Sequence, residues 1–275
     1  MNKQEILKDY KNQEDKLIIA QLLDKVEFSK KRNKIEHTDF LNLHEQDIVD
    51  KLLKKINFRN YYFFGGKEDT ERKLCVLYPE KITEEMSKKN DGRLLKIIRI
   101  KLPNELEDEY NHKVYLGGIM KLGIDRCKVG DIIVENLGAD IIVKDEAVKF
   151  LNQNIPSLTR FSKAEIEIKE IDEIKNIELQ KQELSIIVLS LRLDSIVSEL
   201  AHTSRGKAVQ ILEQERVFLN FQNETKPSKQ VKVGDIITIR GKGKFEFVQI
   251  AGNTRKGRYV LKINKYLWYL FFFLL

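Results

Sequence analysis

Apolar and polar positions alternate along this chain with two different periods. Residues 15–27 and 45–56 place Leu, Ile or Val every three or four positions and fill the other faces with charge, which predicts amphipathic helices joined by a connection over 37–41. Two short apolar runs follow at 61–64 and 74–78. They predict strands. The N-terminal part, residues 1–90, is therefore predicted to be helical with a small sheet.

The middle of the chain is more regular. Its apolar segments are, in order, a strand over 94–102, a helix in the later half of 105–122, strands over 132–135 and 141–143, a helix over 145–152 and a strand over 164–169. The order β-α-β-β-α-β is that of ferredoxin-like folds. We predict a ferredoxin-like central domain over 91–175, a fold that RNA-binding proteins share with many enzymes. Residues 170–183 are charged and weakly patterned, which predicts a linker or a strand edge leading into one.

Two short helices and a series of strands are predicted for residues 184–265. Leu193, Ile196, Val197 and Leu200 lie at i, i+3, i+4 and i+7, and Ser204 is a suitable N-cap for a second helix ending at Glu213. Strands are predicted over 217–219, 236–239, 245–250 and 259–263, with basic turns at 240–244 and 255–258. The fold class is thus α+β, in three parts.

The apolar tail, residues 266–275, is too short for a spanning helix. Three interpretations stay open: docking on the protein, contact with a membrane surface, or an altered reading frame at the end of the gene. No run elsewhere approaches the ~20 apolar residues that a span requires, and the N-terminus lacks the apolar core of a signal peptide. Two separated cysteines, Cys75 and Cys127, favour a reduced, cytoplasmic protein without a disulfide framework or zinc site.

The positive charge is concentrated near the C-terminus. Residues 190–265 hold 15 Lys and Arg against 7 Asp and Glu, leaving 34 of the 49 basic and 35 of the 42 acidic residues for the rest of the 275-residue chain. A basic module on a nearly neutral body predicts a polyanion partner, of which nucleic acid is the commonest. A basic surface without a ligand is the alternative.

Cations at the predicted helix starts sharpen this prediction. Arg205 and Lys207 occupy the first turn of the second helix and Arg192 that of the first, where the helix dipole disfavours positive charge by roughly 0.3–1 kcal/mol each. Open backbone N–H groups at such a terminus favour an anion. A phosphate between the cations and the amides would explain the arrangement; a solvated surface is the alternative, and Arg192 could instead pair with Asp194 or Glu199.

Several of these residues match a known module. Arg192-Leu193-Asp194, Ser204-Arg205 with Ala208, Val217 with Asn220, and Val233-Gly234-Asp235-Ile236 resemble an S4 RNA-binding domain over about 60 residues. The chain departs from that pattern twice: Glu215-Arg216 stands in place of a usual Gly before the strand, and Phe221 replaces a Gly after Asn220.

The resemblance extends to YlmH-type S4 proteins. It is carried by the segments Leu116–Arg126 with Gly130-Asp131-Ile132, Arg240–Phe245 with Thr254–Arg258, and Phe63–Gly66 with Glu71-Arg72. The resemblance implies a bacterial cytoplasmic factor in ribosome-associated quality control. Such a factor would bind 23S rRNA and peptidyl-tRNA on obstructed 50S ribosomal subunits, while a partner factor directs C-terminal tailing of the stalled peptide.

We therefore expect a non-enzymatic RNA binder with no cofactor, no DNA partner and no catalytic or metal-binding residues. The residues expected to contact RNA are polar or basic and lie in the C-terminal module: Arg192, Ser204, Arg205, Lys207, Arg240, Lys242, Lys244, Arg255 and Lys256. In the central domain, Lys121, Arg126 and Lys128 could contact an RNA backbone or lie on a solvated face.

Two other function classes compete. S4 modules are often fused to RNA-modifying enzymes, but Asp91-Gly92-Arg93-Leu94 carries Leu95 where a pseudouridine synthase needs its catalytic Asp, and Gly241-Lys242-Gly243 lacks the third glycine of a dinucleotide loop. The second class is a septum or cell-division scaffold acting through proteins, for which the mixed charges of the first 60 residues are the only support.

Overall fold

Two compact units, residues 1–177 and 178–275, make up the chain in this computed structural model. The structure describes residues 3–10, 12–68, 70–174 and 181–266; the predicted apolar tail therefore lies outside the described residues except for Tyr266. None of the helices among the described residues is both long and apolar enough to cross a bilayer.

The first unit begins with a helical layer over a small sheet. Its elements are α1 (Lys3–Lys8), α2 (Gln13–Arg32), β1 (Glu36–His37), α3 (Leu43–Lys55), β2 (Tyr61–Phe64), β3 (Leu74–Leu77) and α4 (Glu84–Lys88). Asn42 and Glu45 form a capping box at the start of α3, which satisfies amides that a helix leaves open. The apolar faces of α2 and α3 pack with β3 into one core.

The N-terminal sheet has the order β1-β3-β2, with antiparallel neighbours. Glu36 and His37 pair with Leu77 and Val76 of β3. The prediction that 37–41 only connects two helices is therefore wrong at His37, because a two-residue strand carries too little pattern to be seen in a sequence.

The central part contains β4 (Leu95–Lys101), α5 (His112–Lys121), β5 (Val129–Glu135), β6 (Gly138–Lys144), α6 (Asp145–Asn154) and β7 (Glu165–Glu170). The sheet order is β5-β6-β4-β7 with antiparallel neighbours throughout. The helices α5 and α6 cover one face, with Tyr115, Ile119 and Leu151 fully buried against it. The other face packs on Phe40 and Leu74 of the N-terminal part, and on Ile171 and Ile174.

The second unit is a six-stranded antiparallel sheet with two helices. Its elements are β8 (Lys181–Val188), α7 (Leu193–Leu200), α8 (Arg205–Glu213), β9 (Val217–Leu219), β10 (Gln222–Asn223), β11 (Ile236–Ile239), β12 (Gly243–Asn253) and β13 (Tyr259–Tyr266). The order is β10-β9-β11-β12-β13-β8. Apolar side chains of α7 and α8 pack with the inward residues of these strands into a single core.

Strand β8 begins at Lys181, inside the segment 170–183 that was expected to be a linker or a strand edge leading into one. It pairs with β13 from Lys181↔Tyr266 to Val188↔Tyr259. The preceding Ile171–Glu173 forms a short 3-10 turn. Leu184 and Ile186 alternate with exposed residues, which is the pattern of a strand with one buried face. The charged residues before them interrupt this pattern in the sequence.

Candidate nucleic-acid interface

One buried carboxylate organises the two arginines at the helix starts. Asp194, in the first turn of α7, is 2% exposed. Its Oδ1 accepts from Arg192 Nε at 3.1 Å, while its Oδ2 accepts from Arg192 Nη2 at 3.1 Å and from Arg205 Nε at 2.9 Å. Burial raises the pKa of Asp194, but the bonds from the two arginines outweigh it and the pKa is lowered. Two guanidinium groups thus share one negative charge and lie side by side.

The start of α7 has no open amides to offer. The N–H groups of Leu193 and Asp194 donate to the carbonyls of Lys229 and Pro227 at 2.8 and 3.1 Å, and those of Ser195 and Ile196 donate to Arg192. Arg192 is itself the N-cap, with extended backbone, rather than a first-turn residue. The expectation that a phosphate reaches free amides here is wrong for α7, because a neighbouring loop fills the position and Asp194 supplies the negative charge.

The start of α8 is different. Ser204 is its N-cap, as predicted, and its Oγ accepts from the Lys207 amide at 3.3 Å. Among the described residues the amides of Arg205 and Gly206 find no hydrogen-bond acceptor. A Cβ added to Gly206 would meet nothing within 4 Å, and Arg205 and Lys207 are exposed. An anion can therefore approach two amides and two cations at this terminus.

The basic turns lie at the two ends of β12. Arg240 and Lys242 belong to the turn before it, and Arg255 and Lys256 to the turn after it, about 30 Å away along an extended strand of this length. Lys244 lies in β12 itself and not in the turn. It is 7% exposed, and its Nζ lies 5.6 Å from the ring centroid of Phe221 and 4.8 Å from that of Tyr266.

Arg216 is a cation that the sequence analysis did not select. Its Nη2 donates to the Arg240 carbonyl at 3.1 Å, and the Arg240 amide donates to the Arg216 carbonyl at 2.9 Å. In the sequence it was noted only as a departure from the S4 pattern. The signal that could have found it is its position directly before strand β9, since the neighbouring strand β11 is followed directly by Arg240.

The two departures from the S4 pattern fall on left-handed backbone. Glu215 has φ 56°, Asn220 φ 49° and Phe221 φ 67°. Glycine adopts this region without the penalty that a Cβ brings. The chain thus places side chains at two turns where the module usually has glycine.

The Gly130-Asp131 motif joins the N-terminal part to the central sheet. Gly130 lies against the ring of Phe40, and the Asp131 carboxylate accepts from the amides of Glu71 at 2.6 Å and Arg72 at 3.1 Å. Burial raises the pKa of Asp131 to about 6. Arg126 donates to the carbonyls of Val129 and Gly130. These motif residues are thus engaged in holding one unit together.

A second polar network makes the same connection. Asp39 Oδ1 accepts from Lys128 Nζ at 2.9 Å and from Lys144 Nζ at 2.6 Å, and Glu146 pairs with both lysines. Burial raises the pKa of Asp39, but its bonds to Lys144 and Lys128 bring it down to about 2. Of the central cations considered for RNA contact, Lys121 is exposed.

Ion pairs occupy the polar part of the sheet face opposite α5 and α6. Arg99 binds Asp140 through two bonds of 2.7 and 2.8 Å, and Lys101 and Lys169 both pair with Glu167. Apolar contacts with the N-terminal part cover the rest. Ferredoxin-like RNA-binding domains stack bases on exposed aromatic side chains of such a face; among the described residues this face offers ion pairs and covered apolar side chains.

Two segments of the chain match models of known protein families. Residues 89–175 match a family model described as "Putative RNA-binding domain in YlmH", and residues 191–237 match the S4 domain. The chain combines a YlmH-type domain with an S4 domain. The resemblance to YlmH-type S4 proteins is confirmed, and the residues that match the S4 domain contain α7, α8, β9, β10 and the first two residues of β11.

Two relatives extend the comparison. The chain is 27% identical over 249 residues to the Ribosome-associated protein quality control protein P2 of Bacillus subtilis (strain 168), covering 90% of this chain and 93% of that protein. It is 18% identical to a solved structure, the cell division protein ylmH from Streptococcus pneumoniae, with a TM-score of 0.44, covering 58% of this chain and 93% of the other.

Proposed function

We propose that this protein is a non-enzymatic RNA-binding factor of ribosome-associated quality control. It binds rRNA and peptidyl-tRNA on the large ribosomal subunit in the cytoplasm, while a partner factor tails the stalled peptide. The YlmH-type and S4 domains support RNA as the ligand. The name of the Bacillus relative, aligned over nine-tenths of this chain, supports the ribosomal setting.

The observation that carries the proposal is the start of α8. It presents two exposed cations, Arg205 and Lys207, beside two amides that donate to no protein acceptor among the described residues. Asp194 fixes Arg205 through Nε alone, so both terminal nitrogens of that guanidinium remain for a phosphate. We assign the primary phosphate contact to Ser204, Arg205 and Lys207, with Arg192 as the neighbouring cation.

The other residues predicted to contact RNA lie at the two ends of β12 and within it. Arg240 with Lys242, and Arg255 with Lys256, would reach RNA at opposite ends of β12. Lys244 would act through the aromatic side chains around it, since it is buried. We further propose that the central domain is ferredoxin-like: its strand order, with the first and third strands in the middle of an antiparallel sheet, supports this.

Co-sedimentation with purified 50S subunits tests the function. We expect the wild-type protein to pellet with 50S subunits carrying peptidyl-tRNA, and Arg205→Ala with Lys207→Ala to reduce the bound fraction. The control is a double variant with the same charge change in the first unit, Lys81→Ala with Lys89→Ala, two exposed lysines. Equal binding by the test and control variants would contradict the assignment of α8.

Salt dependence gives a second, quantitative readout. Each phosphate contact contributes about 0.7–0.9 to the slope of log K against log[salt], so the α8 variant should lower that slope by about 1.5. A slope unchanged from the wild type would show that these side chains do not neutralise phosphates. To test the enzyme class, the protein is incubated with S-adenosylmethionine and unmodified rRNA; methylated or isomerised nucleotides would overturn the non-enzymatic proposal.

A further inference from the structure

A second group of cations lies in the second unit, where β9 begins and β11 ends. Arg216, before β9, and Arg240 and Lys242, after β11, are referred to below as the β11 cluster. Arg216 and Lys242 are exposed and Arg240 is half-buried. Among the described residues no carboxylate lies within ion-pairing distance of any of the three, in contrast to Arg192 and Arg205, which share Asp194.

Hydrogen bonds hold Arg216 against the backbone of Arg240. Arg216 and Arg240 exchange two hydrogen bonds, from the Arg240 amide at 2.9 Å and from Arg216 Nη2 at 3.1 Å. Gly241, at φ +79°, turns the chain directly over this pair, and a Cβ there would stand 3.4 Å from Arg216 Nη2. Neighbouring cations without a counter-charge repel one another, so an anion at this position lowers the energy of the folded protein.

An aromatic ring lies beneath one of the cations. Arg240 Cζ is 5.1 Å from the ring centroid of Phe218, and Phe218 is only 8% exposed. A guanidinium supported by a ring on one side can receive a nucleobase on the other, since bases stack on arginine planes as well as on aromatic side chains. Arg240 as a whole is partly exposed, although its Nε is buried.

We propose that the β11 cluster binds single-stranded RNA: Arg216 and Lys242 hold the phosphates of an unpaired nucleotide, and its base stacks on Arg240. The site is separate from the start of α8, which needs only a sugar–phosphate backbone. This proposal rests on the proposed function, because it supposes that RNA is the ligand of the S4 unit. It adds the class of RNA structure, namely RNA with unpaired nucleotides.

Fluorescence anisotropy with two RNA probes tests the proposal. One probe is a blunt RNA hairpin, and the other is the same hairpin with a short single-stranded extension. Arg240→Lys keeps the positive charge and removes the planar guanidinium, and we expect it to weaken binding of the extended hairpin about tenfold more than binding of the blunt hairpin. Arg216→Gln should lower the salt slope for the extended hairpin by about 0.7.

The controls are Arg59→Lys and Arg59→Gln, which make the same chemical changes at an exposed arginine in the first unit. Thermal unfolding of each variant verifies that the fold is intact. If both β11 variants bind the two probes like their Arg59 controls while Arg205→Ala weakens both, the inference is overturned and the proposed function stands. If the wild-type protein binds neither probe nor 50S subunits, the proposed function itself fails.

Discussion

Replacing Gly130 with alanine tests why the chain has glycine in the Gly130-Asp131 motif. Gly130 lies in β5 and is not among the residues with a positive φ, so the requirement for glycine is one of space. A Cβ would lie 2.7 Å from Phe40 Cζ, 2.8 Å from Phe40 Cε1 and 3.2 Å from Ile142 Cβ. Carbon atoms at van der Waals contact are separated by about 3.5–4.0 Å. The ring of Phe40 would therefore have to move by close to 1 Å.

The surroundings leave little freedom for that movement. Phe40 is 1% exposed and Ile142 is fully buried. The Phe40 amide donates to the Cys127 carbonyl at 2.9 Å, and its own carbonyl accepts from Arg72 Nη2 at 3.0 Å. Overpacking of a core costs about 1–3 kcal/mol, and we expect Gly130→Ala to lower the free energy of unfolding of the first unit by that amount.

Urea unfolding followed by far-UV circular dichroism measures the effect. Gly117→Ala is the matched control: its Cβ would meet nothing within 4 Å, and in a helix the change is expected to stabilise by about 0.5–1 kcal/mol. Phe40→Leu should recover part of the loss in the Gly130→Ala background, which would appear as a favourable coupling energy in a double-mutant cycle. A Gly130→Ala variant as stable as the wild type, or strict additivity with Phe40→Leu, would refute the steric explanation.

Three further predictions concern charge and backbone. Because the folded pKa of Asp39 is about 2, its stabilisation is present above pH 4 and is lost as the pH falls through 2. Asp39→Asn should cost about 1–2 kcal/mol at pH 7, after a reduction for the partial exposure of Asp39, and about half of that at pH 3 in urea titrations. Glu215→Gly should raise the unfolding free energy by up to about 1 kcal/mol by relieving φ 56°, whereas Glu213→Gly, inside α8, should lower it; equal signs would contradict this. Asp194→Asn should lower the thermal midpoint, at a cost of about 1–2 kcal/mol because its arginine partners are part-exposed, and a midpoint at or above the wild-type value would count against the shared ion pair.

The elements whose signals are local could be predicted from the sequence alone. The apolar spacing of 193–200, the N-cap at Ser204 and the strands at 217–219 and 236–239 follow from neighbouring residues, and the structure has them at those places. The concentration of basic residues in the last third is likewise a property of the sequence. Helix caps and the periodicity of apolar side chains depend on residues only a few positions apart. About ten consecutive residues are therefore enough to predict such an element.

The groups that lie near each cation depend on the tertiary structure. Arg205 meets Asp194 eleven positions away, Arg240 meets Arg216 twenty-four positions away, and Phe40 meets Gly130 from a different part of the first unit. Lys244 lies near two aromatic rings, those of Phe221 and Tyr266, which come before and after it in the sequence. Charge and shape act through space, and the distances that set them exist only after the strands have paired.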